Sequence, residues 1–232
     1  MKIKLYGTGG AFTKHVNTCA LINEEILVDC GAGVIKALIA DNFDVEKLNY
    51  IVVTHFHMDH DFDIPSLLVY FRIRGKSKPL TIYAPKGSIE RYKTMCGLAN
   101  VPTPEYKVIE YTENTFDIND YTITPYLLNH FPELINAYGF KISHQNKTAS
   151  FSGDTAMCDN VHKLIKGSQI AFLDICGTGP VDAKKIHMDI TEYEELKKLY
   201  PDVKLVPVHM LDATRAKLKE LGYNPPNDGE VY

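Results

Sequence analysis

Residues 55–60 read His-Phe-His-Met-Asp-His and follow directly on the apolar run Tyr50-Ile51-Val52-Val53. That run is short and β-branched, the pattern of a buried strand. His55, His57 and Asp59 are spaced two apart, so an extended turn sends all three side chains to one side. Asp59 and His60 are adjacent and must face different ways if both bind metal. Neutral imidazole and carboxylate are donors that zinc and its neighbours accept. Four such donors in six residues at a strand end suit a two-metal site. Ordinary surface histidines rarely gather in this spacing, and a structural zinc site would draw on cysteine instead.

The surrounding pattern supplies elements to hold these donors. Ile3–Tyr6 alternates and runs into Gly7-Thr8-Gly9-Gly10. No Lys-Ser/Thr ending follows, so this reads as a turn where backbone approaches something closely rather than as a phosphate cradle. Residues 18–22 and 25–28 form a hairpin, with Asp29 ending its second strand and Gly31-Ala32-Gly33 opening a helix to Ala40. A helix starts at Ile64-Pro65 and runs to about Ile73, with proline in its first turn. Residues 81–84 are a strand, and Pro85 is expected to begin a helix reaching about Cys96. Strands follow near 106–111, 121–128, 138–143 and 148–152, then a helix at 161–165 and a strand at 170–173. A helix at 191–199, a strand at 205–208 and a helix at 212–221 lead to an irregular tail. Three more donors sit just past strands: His130, Asp154 and His209. His15, His144 and His162 have no such context and read as structural or surface residues.

The chain has 232 residues, 45% hydrophobic and 23% charged, enough for one sizeable core. With no Pro/Gly/Ser-rich linker to divide it, residues 1–232 are expected to form a single domain. A net charge of −4 does not suit a long nucleic-acid backbone, whose affinity rests on many Lys/Arg–phosphate pairs. Arg72, Arg74, Lys76 and Lys78 form the densest basic cluster and read as a solvated loop. The five cysteines are odd in number without a CxxC pair. The start lacks a signal-peptide pattern, and no stretch approaches ~20 apolar residues. A cytoplasmic protein with free thiols and no membrane contact is the expectation.

His-x-His-x-Asp-His after a strand, preceded by Leu27-Val28-Asp29-Cys30-Gly31 and followed by separated His, Asp and His, resembles the metallo-β-lactamase superfamily. The resemblance spans Asp29 to His209 and implies a four-layered αββα sandwich. It also implies two divalent ions, zinc or manganese. His55, His57 and His130 would hold one, and Asp59, His60 and His209 the other. Asp154 would bridge them, and Asp29 would orient a ligand. The narrower resemblance is to the tRNase Z-like branch. Gly7–Gly10, Thr54–His60 with Ile64-Pro65, His130 with Tyr138–Ile142, and Ser152-Gly153-Asp154-Thr155 resemble its motifs. His187 matches a histidine that assists phosphodiester cleavage there. Two departures stand out. The tRNA-processing members insert a long arm where this chain has only residues 131–153. They also carry His-Glu-Ala-Thr where this chain has Ile175-Cys176-Gly177-Thr178, without the glutamate that supports the catalytic histidine. Asp174 is close enough in sequence to substitute. Armless relatives include cyclic-nucleotide phosphodiesterases.

Two cations about 3.5–4 Å apart share a water and lower its pKa far from the bulk value toward neutrality. The implied chemistry is hydrolysis of a small phosphodiester, a cyclic or short nucleotide, by a metal-bridged hydroxide. Asp59 and His187 would be the catalytic residues, with His187 protonating the leaving oxygen. The alternatives are tRNA 3′ processing, lactone or other carbonyl-ester hydrolysis, and a ligand sensor without turnover. Specificity is expected in loops 10–17, 61–78, 131–137 and 177–188. The segment Ile64–Phe71 is apolar on more than one face, which together with the resemblance predicts a homodimer.

Overall fold

Alternating and β-branched segments build two six-stranded sheets in a computed structural model that describes residues 1–101, 106–179 and 185–232. The chain forms two compact units, one sheet in each. The first comprises Met1–Thr8, His15–Thr112 and Asn227–Tyr232, and the second Gly9–Lys14 and Glu113–Pro226. Part of the expected specificity loop 177–188, residues 180–184, lies outside the described residues.

In the first unit the order is β1 (Ile3–Gly7), β2 (Cys19–Ile22), β3 (Ile26–Val28), α1 (Val34–Ala40), β4 (Tyr50–Val52), α2 (Met58–Asp61), α3 (Ile64–Ile73), β5 (Leu80–Pro85), α4 (Ser88–Leu98) and β6 (Tyr106–Tyr111). The strands pair in chain order. β1–β2 and β2–β3 are antiparallel, and the pairs from β3 to β6 are parallel. The β2–β3 turn uses Asn23 and Glu24 at φ 47° and 65°, the primed-turn conformation that suits strand twist. Parallel strands are flanked by helices and read as continuous apolar runs, as Tyr50–Val53 does. Leu27, Ile51, Val53, Leu67, Leu68, Phe71, Ile82 and Tyr92 share one core.

In the second unit the order is β7 (Phe116–Ile118), β8 (Tyr121–Leu127), β9 (Tyr138–His144), β10 (Lys147–Phe151), α5 (Asp159–Ile165), β11 (Ile170–Asp174), α6 (Ile190–Leu199), β12 (Lys204–Val208) and α7 (Asp212–Glu220). Three antiparallel pairings run from β7 to β10, and β10–β11 and β11–β12 are parallel. Its core gathers Val161, Leu164, Leu173, Ile190, Tyr193, Leu196 and Leu218.

The mixed α/β class with two sheets and helices is as expected, and most elements fall within a residue or two of the sequence reading. Three differ. Pro85 does not open a helix: it ends β5, paired with Tyr111, and α4 starts at Ser88. Strand β7 and the single turn α2 were not foreseen. The tail is irregular, as expected, but tied down. Its backbone pairs with β1 through Ile3 N–H to Tyr232 O and Leu5 N–H to Glu230 O, both 2.9 Å. Among the described residues no helix is long and apolar enough to cross a membrane.

Candidate metal centre

The first unit holds Asp29, His55, His57, Asp59 and His60. Strand β4 ends at Val52, and the chain runs without regular structure to His57, the extended residue that precedes α2. Asp29 follows β3 at φ 61°, an uncommon conformation for a residue with a Cβ. That turn aims its buried carboxylate at Thr54 and His60. Oδ1 accepts the Thr54 backbone N–H at 2.7 Å, Oδ2 accepts the Thr54 hydroxyl at 2.9 Å, and Oδ2 lies 2.8 Å from His60 Nδ1. The Thr54 hydroxyl proton is thereby committed, so Oγ1 accepts from His55 Nδ1 at 3.0 Å. Both rings then carry their proton on Nδ1 and offer the Nε2 lone pair, the form a metal ligand needs. His60 Nε2 lies 3.7 Å from Asp59 Oδ2. The His55 ring is 4.7 Å from that of His57 and 4.1 Å from that of His60, centroid to centroid. Burial pushes the Asp29 carboxyl up, and His60 and Thr54 offset that only in part.

Two features lock this segment. Gly31 passes so close that a Cβ there would fall 1.8 Å from the Asp59 carbonyl oxygen, so only glycine fits. Arg91 of α4 reaches fully buried Asp61 with two bonds, Nε to Oδ2 at 2.6 Å and Nη2 to Oδ1 at 2.8 Å, and also donates to Phe56 O at 2.9 Å. Such a bidentate fork fixes geometry as well as charge. Arg91 was not foreseen, since it stands 30 residues from its partner with no local motif around it.

The second unit holds His130, Asp154, Asp174, His187 and His209. His130 follows β8, Asp154 follows β10, Asp174 ends β11 and His209 follows β12. His130 Nδ1 donates to Ile186 O at 2.8 Å, which turns its Nε2 toward Asp154. Asp154 Oδ2 lies 3.6 Å from His130 Nε2 and 3.4 Å from His209 Nε2. Two ligand atoms each ~2.0–2.1 Å from a tetrahedral zinc sit about 3.3 Å apart, so these separations fit donors that share ions. His209, at φ 55°, has its Nδ1 3.3 Å from Asp174 Oδ1. No turn forms at Gly7–Gly10, where Gly7 ends β1 and Gly9 bridges to Met210, but Gly10 makes a close approach, since a Cβ on it would sit 3.3 Å from the His209 ring.

His187 Nδ1 donates to Asp174 Oδ2 at 2.7 Å, and the same oxygen accepts the Thr155 N–H at 3.0 Å. Asp174, which sequence could only suggest, is thus the carboxylate bonded to His187. The His187 ring stacks on His209, centroids 5.2 Å apart and planes 22° apart. Its Nδ1 is 4.0 Å from Asp154 Oδ2. Burial opposes its charged form, but Asp174 and then Asp154 outweigh that and hold its pKa above the ordinary value. Donor atoms of Asp154, Asp174, His187 and His209 all lie within 4.8 Å of one another. Cys176 also brings its sulfur within 4.8 Å of His187 and His209 nitrogens, although burial keeps it a thiol. The histidines read as structural each have a partner: His15 with Asp228, His144 with Asp120 and His162 with Tyr200.

A family model described as the beta-lactamase superfamily domain matches residues 24–210. Ribonuclease BN of Enterobacter sp. strain 638 is 31% identical over 137 residues, 58% of this chain and 44% of that protein. Ribonuclease BN of Cronobacter sakazakii is 30% identical over 175 residues, 69% of this chain and 57% of that protein. Ribonuclease Z of Listeria monocytogenes is 27% identical over 222 residues, 88% and 70%. The chain spans about half the length of the first two of these curated relatives. Among solved structures, the metallo-beta-lactamase fold protein YhfI from Bacillus subtilis superposes with TM-score 0.82 at 21% identity, over 100% of this chain and 98% of that one. The short form of human tRNase Z gives 0.79 at 21% identity, over 100% and 98%. A diphosphatase of the PhnP family gives 0.79 at 14%, over 100% and 96%. At these identities the superpositions establish the fold.

Proposed function

The chain belongs to the metallo-β-lactamase superfamily of metal-dependent hydrolases, and from that premise we propose a dinuclear phosphodiesterase acting on a small phosphodiester, a cyclic or short nucleotide. The observation that carries this reading is the convergence of His130 and His209 Nε2 on one oxygen of Asp154, with His187 held on Asp174 alongside. Our assignment gives one ion to His55, His57 and His130, the other to Asp59, His60 and His209, and Asp154 to both. The donor set is imidazole and carboxylate throughout, which suits zinc or manganese. Two such ions, when bound, supply an acidified water and a clamp for a phosphoryl oxygen.

The remaining chemistry belongs to the chain. Asp29 and Thr54 hold the rings of His55 and His60 in the ligating tautomer. Asp59 keeps a second carboxylate oxygen to orient the attacking water. His187, with Nδ1 committed to Asp174, holds a proton on Nε2 for the leaving alkoxide. A small substrate is favoured by the short 131–153 segment, where Tyr138–His144 and Lys147–Phe151 take most of the residues, and by the net charge of −4. The ribonuclease relatives favour a second reading, cleavage of precursor tRNA. Metal-loaded protein tested on cyclic and short nucleotides, a lactone and precursor tRNA separates them. Turnover of the nucleotides is expected. Efficient tRNA cleavage with no action on nucleotides would overturn the substrate assignment.

We also propose a cytoplasmic homodimer. The five free cysteines suit a reducing compartment. Helix α3 buries Ile64, Leu67, Leu68 and Phe71 within its own unit but leaves Ile73 76% exposed. Light scattering at micromolar concentration should give about twice 26.1 kDa, and a particle of the single-chain mass refutes the dimer.

A further inference from the structure

Beside His130, within the second unit, lies a cavity of about 560 Å³ whose walls include Asn129, Phe131, Glu133, Leu134, Lys185 and Ile186. That volume falls in the roughly 300–1,000 Å³ of small-molecule sites. We propose that it is a subsite for the nucleobase of the substrate, with the Phe131 ring as its stacking platform. This rests on the phosphodiesterase reading and specifies which part of the substrate the protein recognises.

Three observations carry it. The first is position. The His130 Nδ1–Ile186 O bond joins the two walls, and the Phe131 ring is edge-on to His130 with centroids 5.0 Å apart. A base on Phe131 would thus be one sugar away from a phosphate at His130. The second is charge. Lys185 is already spent on Asp189 at 2.7 Å and Glu192 at 2.6 Å, and Glu133 adds a negative charge. Such a cavity repels phosphate and suits an uncharged, flat, hydrogen-bonding group, with apolar Leu134 and Ile186 and the amide-bearing Asn129 among its lining residues.

The third is backbone strain. Phe131 has φ 44°, a conformation that bulky residues avoid and that clusters at ligand sites. It is held there by a turn in which its carbonyl accepts from Leu134 N–H at 2.8 Å and Ile135 N–H at 3.0 Å. Phe131 remains 38% exposed. A strained turn that leaves Phe131 partly exposed beside the cavity places its ring where a base can stack.

The test compares binding of adenosine 5′-monophosphate and ribose 5-phosphate to zinc-loaded protein by calorimetry. Base–aromatic stacking corresponds to roughly a 5- to 150-fold preference, so the nucleotide should bind that much more tightly. Phe131→Gly, which removes the ring and relaxes the backbone, should abolish the preference, and Phe131→Tyr should retain it. Equal binding of the two probes by the unmodified protein, or a preference that survives Phe131→Gly, overturns the subsite. Hydrolysis of methyl nitrophenyl phosphate is measured in parallel. If that diester is inert while the base preference and its loss in Phe131→Gly hold, the subsite stands and the phosphodiesterase reading falls.

Discussion

Replacing His187 by alanine tests the assigned chemistry most directly. The structure gives Nδ1 a fixed partner, Asp174 Oδ2 at 2.7 Å, so any proton delivered to substrate must come from Nε2. Loss of a positioned general acid typically lowers turnover about 10²–10⁴-fold, or roughly 2.7–5.4 kcal/mol of transition-state stabilisation at about 1.36 kcal/mol per decade. That loss should appear in full for a dinucleotide, whose leaving alkoxide needs a proton. It should shrink toward nothing for a nucleotide nitrophenyl ester, whose phenolate leaves unprotonated. Asp174→Asn keeps the shape and a carbonyl acceptor for Nδ1 but removes the charge. Because Asp174 Oδ1 is also 3.3 Å from His209 Nδ1, its loss of about 10–100-fold should divide between the acid and metal affinity. On the His187→Ala background only the metal-affinity part should remain, so the two losses should not add. Initial rates on both substrates, with elemental analysis showing both ions retained by His187→Ala, complete the assay. An equal loss on the two substrate types would remove His187 from this role.

Three further substitutions probe the framework. Asp154→Ala should take the protein from two ions per chain to none by elemental analysis, since both ions would share that carboxylate, and one retained ion refutes the bridge. Asp61→Ala should destabilise by about 2–3 kcal/mol in urea unfolding, below the ~3–5 kcal/mol of a fully buried pair because the Arg91 side chain is 27% exposed, and a loss under ~1 kcal/mol refutes the clamp. Asp189 caps α6 just after His187 in a reciprocal capping box with Glu192, so Asp189→Ala should cost about 1–2 kcal/mol, some 2–8 °C in melting temperature. Burial raises the Asp189 pKa, but Lys185 and the α6 backbone N–H groups lower it further, below 3.8. A depressed folded-state pKa means that its stabilisation is complete above the unfolded value and fades as pH falls through the folded one. The melting gap between the two proteins should therefore close below that pH, and a gap that persists there refutes the charged cap.

Much of the protein is legible in the chain itself, because the interactions that reveal it are local. Strand and helix periodicity, the proline in the first turn of α3 and the turn residues at Asn23-Glu24 act within a few residues. The cluster His55–His60 is local too, and so are the strand ends before His130, Asp154 and His209, which is why the donors could be named. Pro85 misled because a proline that ends a strand and one that starts a helix share the same fixed φ. Pairing with Tyr111 settles which it is, and that partner is 26 residues away. The same reasoning covers what only tertiary structure decided. That Asp174 supports His187, that Arg91 clamps the ligand segment through Asp61, and that Asp29 turns into a left-handed conformation to reach His60 are facts of packing. Each joins groups 13 to 31 residues apart, and a hydrogen bond across such a distance leaves no periodic trace in sequence. Residue types and spacing thus singled out the candidate donors, while the fold decided which neighbours orient each of them.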